Sequence, residues 1–191
     1  MPLNSSNIKI GILGLQGAFQ KHQQMLEKLS VNSIIIRYPE EIHKSDGIIL
    51  PGGESSTMTK LLRNMELFEP LMKFSGPMFG TCAGAILLSI SCDDRRVEHF
   101  AKVPVKTIRN AYGRQIESFV TKVNVSDYDN EFPAVFIRAP QFYEIDDSVE
   151  ILGQLQGKPV LLKYKNIILS SFHPELTEDT RIHETFLKML D

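Results

Sequence analysis

No run of apolar residues in this sequence approaches the ~20 needed to cross a bilayer as a helix, which argues against a membrane-spanning protein. Charge of one sign is also scarce: 21 Lys and Arg stand against 23 Asp and Glu, a formal net charge of −2. Binding nucleic acid or an anionic membrane surface by charge needs a basic excess, so neither is expected as a partner. Cysteine is nearly absent, with only Cys82 and Cys92. Two thiols make no disulfide framework; they suit chemistry or packing in a reducing compartment, so a cytoplasmic location is expected. No basic segment followed by an apolar one opens the chain, and Met1 to Asn7 is expected to be a disordered tail.

Two common nucleotide motifs are missing as well. GxxxxGK[ST] does not occur, and Gly11, Gly14 and Gly17 are spaced by three, not as G-x-G-x-x-G. His22, His43, His99, His173 and His183 show no metal-ligand spacing with the cysteines, so no metal and no other cofactor is expected. There is no internal repeat, low-complexity tract or linker. The 191 residues are 42% hydrophobic, which fits one folded domain over 1–191 with a substantial core.

The first half alternates strand and helix signals. Ile8 to Leu15, Asn32 to Arg37, Gly47 to Leu50 and Pro77 to Gly80 are short apolar or β-branched runs and predict strands. Ala18 to Leu29, Ser55 to Asn64, Glu66 to Phe74 and Ala83 to Ile90 predict helices. The second half predicts short strands at Val103 to Ile108, Phe119 to Val125, Ala134 to Ile137, Val149 to Leu152, Pro159 to Tyr164 and Ile167 to Ser170, then a helix from Thr180 to Leu190. The expected fold is α/β, with a mostly parallel central sheet flanked by helices and an antiparallel extension. The charged stretch Cys92 to Val103 has no clear assignment.

Sites in such sheets form outside the carboxyl ends of the strands. Three glycine-containing loops fall there: Leu15-Gln16-Gly17, Pro51-Gly52-Gly53-Glu54-Ser55 and Gly80-Thr81-Cys82. Gly80-Thr81-Cys82-Ala83-Gly84 frames a cysteine between two glycines at a strand-to-helix turn, the arrangement of the G-x-S-x-G elbow with sulfur for oxygen. Unpaired N–H groups and the positive end of the macrodipole suit an anionic sulfur there. An isolated cysteine is more often a buried packing residue, and Cys92, with no glycine frame, is assigned that role. A nucleophile needs a base and the base an orienting group. His173 follows a strand that would end at the same edge if it runs parallel, and Glu175, two residues on across Pro174, can reach the imidazole. The Gly52-Gly53 pair lets backbone N–H groups face a cavity, which suits an oxyanion, with the N–H of Ala83 as second donor.

Together these segments resemble the triad-type (class I) glutamine amidotransferases. More narrowly they resemble the glutaminase subunits of two-component pyridoxal phosphate synthases, the PdxT family. The likeness rests on Gly11 to Ala18 with His22, Leu50 to Met58, Pro77 to Gly84, Phe136 to Pro140 and Ser171 to Asp179, and on Arg109-Asn110 followed by Tyr112 to Gln115. It runs over nearly the whole chain. It implies a three-layer, flavodoxin-like sandwich. It also implies that Cys82 attacks the side-chain amide of L-glutamine, that His173 moves the protons and that Glu175 orients it. Gly53 and Ala83 would hold the oxyanion, and Gly53, Glu54, Ser55, Arg109, Ile137 and Arg138 would hold the substrate. The implied partner is a barrel-shaped synthase subunit joined in a large hetero-oligomer, with Gln16 and His22 near the docking surface and little activity without the partner.

The sequence departs from the family at Val97 to Val105, where a Gly-Leu-Leu-rich segment is usual, and in a short segment at Lys73 to Gly76. Other readings are a glutaminase of another biosynthetic pathway, a cysteine peptidase or chaperone-like relative, and an inactive glutamine-binding regulatory module. Gly14-Leu15-Gln16-Gly17 and Ile137 to Pro140 disfavour the first, Arg109 and Arg138 the second, and the presence of Cys82, His173 and Glu175 the third.

Overall fold

A computed structural model of the chain describes residues 8–111 and 118–190. The expected tail at Met1 to Asn7 and the segment Tyr112 to Gln115 lie outside the described residues. The chain begins β1 (Lys9–Leu13), α1 (Phe19–Lys28), β2 (Asn32–Ile36), α2 (Pro39–Ile42), β3 (Gly47–Leu50), α3 (Ser55–Asn64), α4 (Phe68–Lys73), β4 (Met78–Thr81) and α5 (Ala83–Leu88). It continues as β5 (Ser89–Cys92), β6 (Val103–Ile108), β7 (Phe119–Val125), β8 (Phe132–Phe136), β9 (Gln141–Tyr143), β10 (Glu150–Leu155), β11 (Lys158–Tyr164), β12 (Ile167–Ser170) and α6 (Arg181–Leu187).

Nine strands form one sheet in the order β2-β1-β3-β4-β12-β11-β10-β7-β8. The first five are parallel and the last four join by antiparallel pairs. The β5-β6-β9 strands make a small second sheet. The parallel strands read as continuous apolar runs because both faces are covered. In β3, Ile48 and Leu50 join the cluster packed on α3, α4 and α5, while Ile49 joins the opposite cluster with Leu26 of α1 and Ile182 and Phe186 of α6. No helix among the described residues is long and apolar enough to cross a membrane.

Two differences from the sequence reading bear on the site. The helix expected over Ala83 to Ile90 stops at Leu88, where Ser89 Oγ donates to the Ile86 carbonyl and the chain passes directly into β5. Isoleucine and serine are neutral in helix propensity, so tertiary pairing of Ser89 and Cys92 with β6 decides the end. The unassigned stretch after Cys92 buries Val97 and Phe100 in the core and leaves Asp93, Arg95, Arg96 and Glu98 outside. Cys92 itself is half-buried at the end of β5, and burial pushes its thiol pKa up.

The elbow that carries Cys82 depends on close backbone approach. A Cβ on Gly84 would stand 1.9 Å from the Leu50 carbonyl oxygen, so α5 lies directly on the end of β3. Gly84→Ala is therefore expected to destabilise the fold by about 3 kcal/mol, because backbone rather than a mobile side chain must move. Urea unfolding of the variant checks this; a loss below about 1 kcal/mol would show that α5 shifts freely.

Candidate active site

Parallel register brings three strand ends to one edge. Leu50 of β3 sits opposite Gly80 of β4, and Thr81 opposite Ser170 of β12. The Cys82 N–H donates to the Ser170 carbonyl at 2.8 Å, which pins the Cys82 turn to the strand that delivers His173. Cys82 adopts φ 49° and ψ −106°, a region costly for a residue with a Cβ. The neighbouring glycines and the flanking strand hold it there. His173 is fixed from the other side: its N–H donates to the Val135 carbonyl of β8 at 2.8 Å.

His173 Nδ1 lies 2.8 Å from Glu175 Oε1, and the ring and the Cys82 side chain both crowd the Gly52 position, close enough for the thiol to act on the charge of the imidazole. Burial opposes a charged imidazole, but Cys82 and Glu175 together outweigh it and raise the His173 pKa well above its ordinary value. Glu175 is fully buried; burial alone would raise its pKa, yet the His22 and His173 imidazoles facing it hold it below its ordinary value. A carboxylate at Nδ1 selects the tautomer in which Nε2 serves the thiol. The Cys82 sulfur further lies 3.8 Å from the Ile137 carbonyl and 4.0 Å from that of Arg138.

Gly53, Glu54, Ser55, Cys82, Arg109 and Arg138, with Ile86 and Asn110, line one narrow cleft of about 40 Å³. A wider cleft beside Pro70 and Phe74 carries no nucleophile–base pair. Cys82, Asn110 and Arg138, all at positive φ, face the smaller cleft, the kind of place where backbone strain collects. Glu54 caps α3, accepting from the backbone N–H groups and hydroxyls of Ser56 and Thr57. Burial works against its charge, but these bonds hold its pKa at about 2. Its carboxylate also accepts from Arg109 Nη2 at 2.6 Å, and Arg109 Nη1 pairs with Asp94.

The structure thus gathers most of the residues singled out from the sequence. Cys82, His173 and Glu175 are in sequence of contact, Ala83 opens α5 beside them, and the six substrate candidates surround the sulfur. Gln16 is half-buried, and its Oε1 accepts the Glu54 N–H at 3.0 Å, tying the first loop to the Gly53-Glu54 turn. His22 is fully buried and turned toward Glu175. Two contributors escaped the sequence reading, and a third, Gly52, was named there only as half of a glycine pair. Gly52 packs against both Cys82 and His173, since a Cβ there would lie 2.4 Å from His173 Cε1 and 3.2 Å from Cys82 Cβ. Asp94 anchors Arg109 from the stretch that had no assignment. His183 of α6 lies behind His22, far away in sequence. Only Gly52 carried a local sign, its place beside Gly53 after a buried strand.

The model of the SNO glutamine amidotransferase family matches residues 12–191 of the chain. The chain is 46% identical to the pyridoxal 5'-phosphate synthase subunit PdxT of Thermosipho africanus, over 96% of this chain and 99% of that protein. It is 45% identical to the subunit of the same name from Thermotoga neapolitana, over 96% and 100%. A solved structure described as a glutamine amidotransferase superposes with a TM-score of 0.89 at 38% identity, covering 95% of this chain and 98% of that one.

Proposed function

Because the chain belongs to the SNO glutamine amidotransferase family, we infer that it is a PdxT-type glutaminase subunit supplying ammonia to a pyridoxal phosphate synthase. The observation that carries the residue roles is the buried chain of contacts from Cys82 through His173 to Glu175. Residues 1–191 act as a single glutamine amidotransferase domain.

The chemistry follows from that chain. Cys82 Sγ passes its proton to His173 Nε2 and attacks the side-chain carbonyl carbon of L-glutamine, and the carbonyl oxygen takes up the negative charge. Backbone N–H groups of Gly53 and Ala83 receive that oxyanion; such donors are worth about 3 kcal/mol each in a dry site. His173 gives its proton to the amide nitrogen, the C–N bond breaks and ammonia leaves a glutamyl thioester. Water then attacks the thioester carbon, His173 takes the water proton, and the C–S bond breaks to release glutamate and the Cys82 sulfur. Glu175 keeps the imidazole oriented and supports its positive charge throughout.

Glutamine carries a carboxylate and an ammonium at its far end. Arg109 and Arg138 supply the cationic side of the cleft and Glu54 the anionic side, with Ser55 and the Ile137 backbone completing the wall. The hydroxyls and N–H groups of α3 already occupy the Glu54 carboxylate, so Glu54 acts on a ligand chiefly by aiming Arg109. The synthase partner is a barrel-shaped subunit in a large hetero-oligomer, and Gln16 couples its arrival to the Gly53 turn. A cytoplasmic setting keeps Cys82 reduced.

Glutamate release from L-glutamine, measured with and without a pyridoxal phosphate synthase subunit, tests this reading. Hydrolysis is expected to rise strongly when the synthase is added. Absence of hydrolysis under both conditions, with the two proteins shown to bind, would overturn it.

A further inference from the structure

Glu175 uses one oxygen on His173; its other oxygen, Oε2, is buried and has no hydrogen bond of good geometry. The side chain that faces this oxygen is His22, with Nε2 3.5 Å away and both side chains fully buried. His22 Nε2 also lies 3.3 Å from Thr81 Oγ1, on the strand that ends at Cys82. Its Nδ1 lies 3.0 Å from Nε2 of His183, likewise buried. Phe79 of β4 packs edge-on against both imidazoles. Three elements remote in sequence, α1, α6 and the turn after β12, thus meet in one polar row inside an apolar interior.

Burial holds both imidazoles neutral, lowering the pKa of His22 and bringing that of His183 to about 3. A neutral imidazole carries one N–H, so the row can run in only two directions. If His22 carried its proton on Nδ1, its Nε2 lone pair would face the Glu175 carboxylate. His183 would then have to accept at Nε2 and place its own N–H on Nδ1, which is buried without a partner. A lone pair facing a carboxylate is repulsive, and a buried orphan N–H is among the rarest defects in proteins. With protons on Nε2 of both rings, His183 donates to His22 and His22 donates toward Glu175 and Thr81. The groups of the row without a hydrogen bond of good geometry are then acceptors only, His183 Nδ1 and Glu175 Oε2. Both ends of the row select the same direction.

We propose that His22 is a positioning residue of the glutaminase triad, donating from Nε2 to Glu175 Oε2 in a tautomer fixed by His183, so that the carboxylate that orients His173 cannot turn. The inference rests on the glutaminase reading above for its consequence, but not for its geometry. An oriented base loses rate when the group behind it loosens, and partners of this kind are worth about 10- to 100-fold.

The test has two arms. In the first, glutamate release is measured in the presence of the synthase subunit for wild type, His22→Phe and His22→Gln. Phenylalanine keeps the ring and removes the donor; the glutamine amide nitrogen restores a donor near the Nε2 position. The expected result is kcat lowered about tenfold in His22→Phe with KM for glutamine within about twofold, and most of kcat regained in His22→Gln. Equal kcat in wild type and His22→Phe would overturn the proposal, as would an equal loss in both variants. In the second arm, long-range ¹H–¹⁵N correlations of the wild-type histidines are recorded on the full chain. Nε2–H on both His22 and His183 is expected at neutral pH; Nδ1–H on His22 overturns the proposal even if the variants fail to fold. An inactive wild type would refute the glutaminase reading alone, because the tautomers are read without turnover.

Discussion

Cys82→Ala is expected to lose glutamate release by on the order of 10⁴-fold or more while folding as wild type does. Removing the nucleophile of a triad removes the covalent route altogether, and what remains is binding and oxyanion contact. The fold should barely notice. Alanine keeps the Cβ, so the strain of φ 49° at this turn is unchanged, and the thiol forfeits only long contacts of 3.8 and 4.0 Å to the Ile137 and Arg138 carbonyls. The expected change in urea stability is within about 1 kcal/mol. Cys82→Gly separates strain from chemistry: it is equally inactive, yet it should exceed Cys82→Ala in stability, since glycine occupies this backbone region without the cost of about 1–3 kcal/mol that other residues bear. Steady-state glutamate release with the synthase present decides the matter. Alanine protein retaining more than a hundredth of the wild-type rate would sink Cys82 as nucleophile.

Gly52→Ala should lower kcat about 100-fold or more, although position 52 is two residues from any side chain that does chemistry on the loop. The added Cβ would meet His173 Cε1 at 2.4 Å and Cys82 Cβ at 3.2 Å. Contacts that short force a shift, and the ring is the part that must give. The ring is held by Glu175 at 2.8 Å and by the His173 N–H on Val135, so displacement comes at the expense of the Cys82–His173 geometry. Misplacement of about 1 Å at a reacting centre costs roughly 10²-fold. Position 52 is not in the left-handed region, so alanine strains no backbone there and folding should persist. Gly53, at φ 154°, offers the contrast: alanine there strains the turn itself. Wild-type kcat in Gly52→Ala would mean that the imidazole is free to move, against the buried packing described above.

The parallel half of the fold was legible because local pattern and tertiary role agree there. Gly47 to Leu50 and Ile167 to Ser170 fall on β3 and β12 without a shift, since strands buried on both faces must be continuous apolar runs. Phe119 to Val125, which is β7, was equally clear from its β-branched residues. Legibility failed where long-range pairing outweighs propensity. Ser89 to Cys92 continues an apolar helix in sequence but pairs with β6, and Gln141 to Tyr143 is too short and too mixed to announce β9. Asp94 lay in a charged stretch whose local pattern suggests only a solvated loop, yet β6 brings Arg109 against it.

The site divides along the same line. By itself the sequence singled out the residues of the proposed chemistry: the glycine-framed Cys82, the His173-Pro174-Glu175 segment and the Gly52-Gly53 turn each stand out through short-range constraints. Glycine is needed where a Cβ cannot fit, and two residues with a proline between them can reach each other. Only the tertiary structure decided what stands behind that chemistry. His22 and His183 are 161 positions apart and neither has a local sign of function, but the packing of α1 and α6 on one face of the sheet brings them within 3.0 Å of each other and His22 within 3.5 Å of Glu175. Backbone constraints are local and leave marks in adjacent residues; the burial of a polar row depends on which helix faces meet, and no neighbouring residue records that.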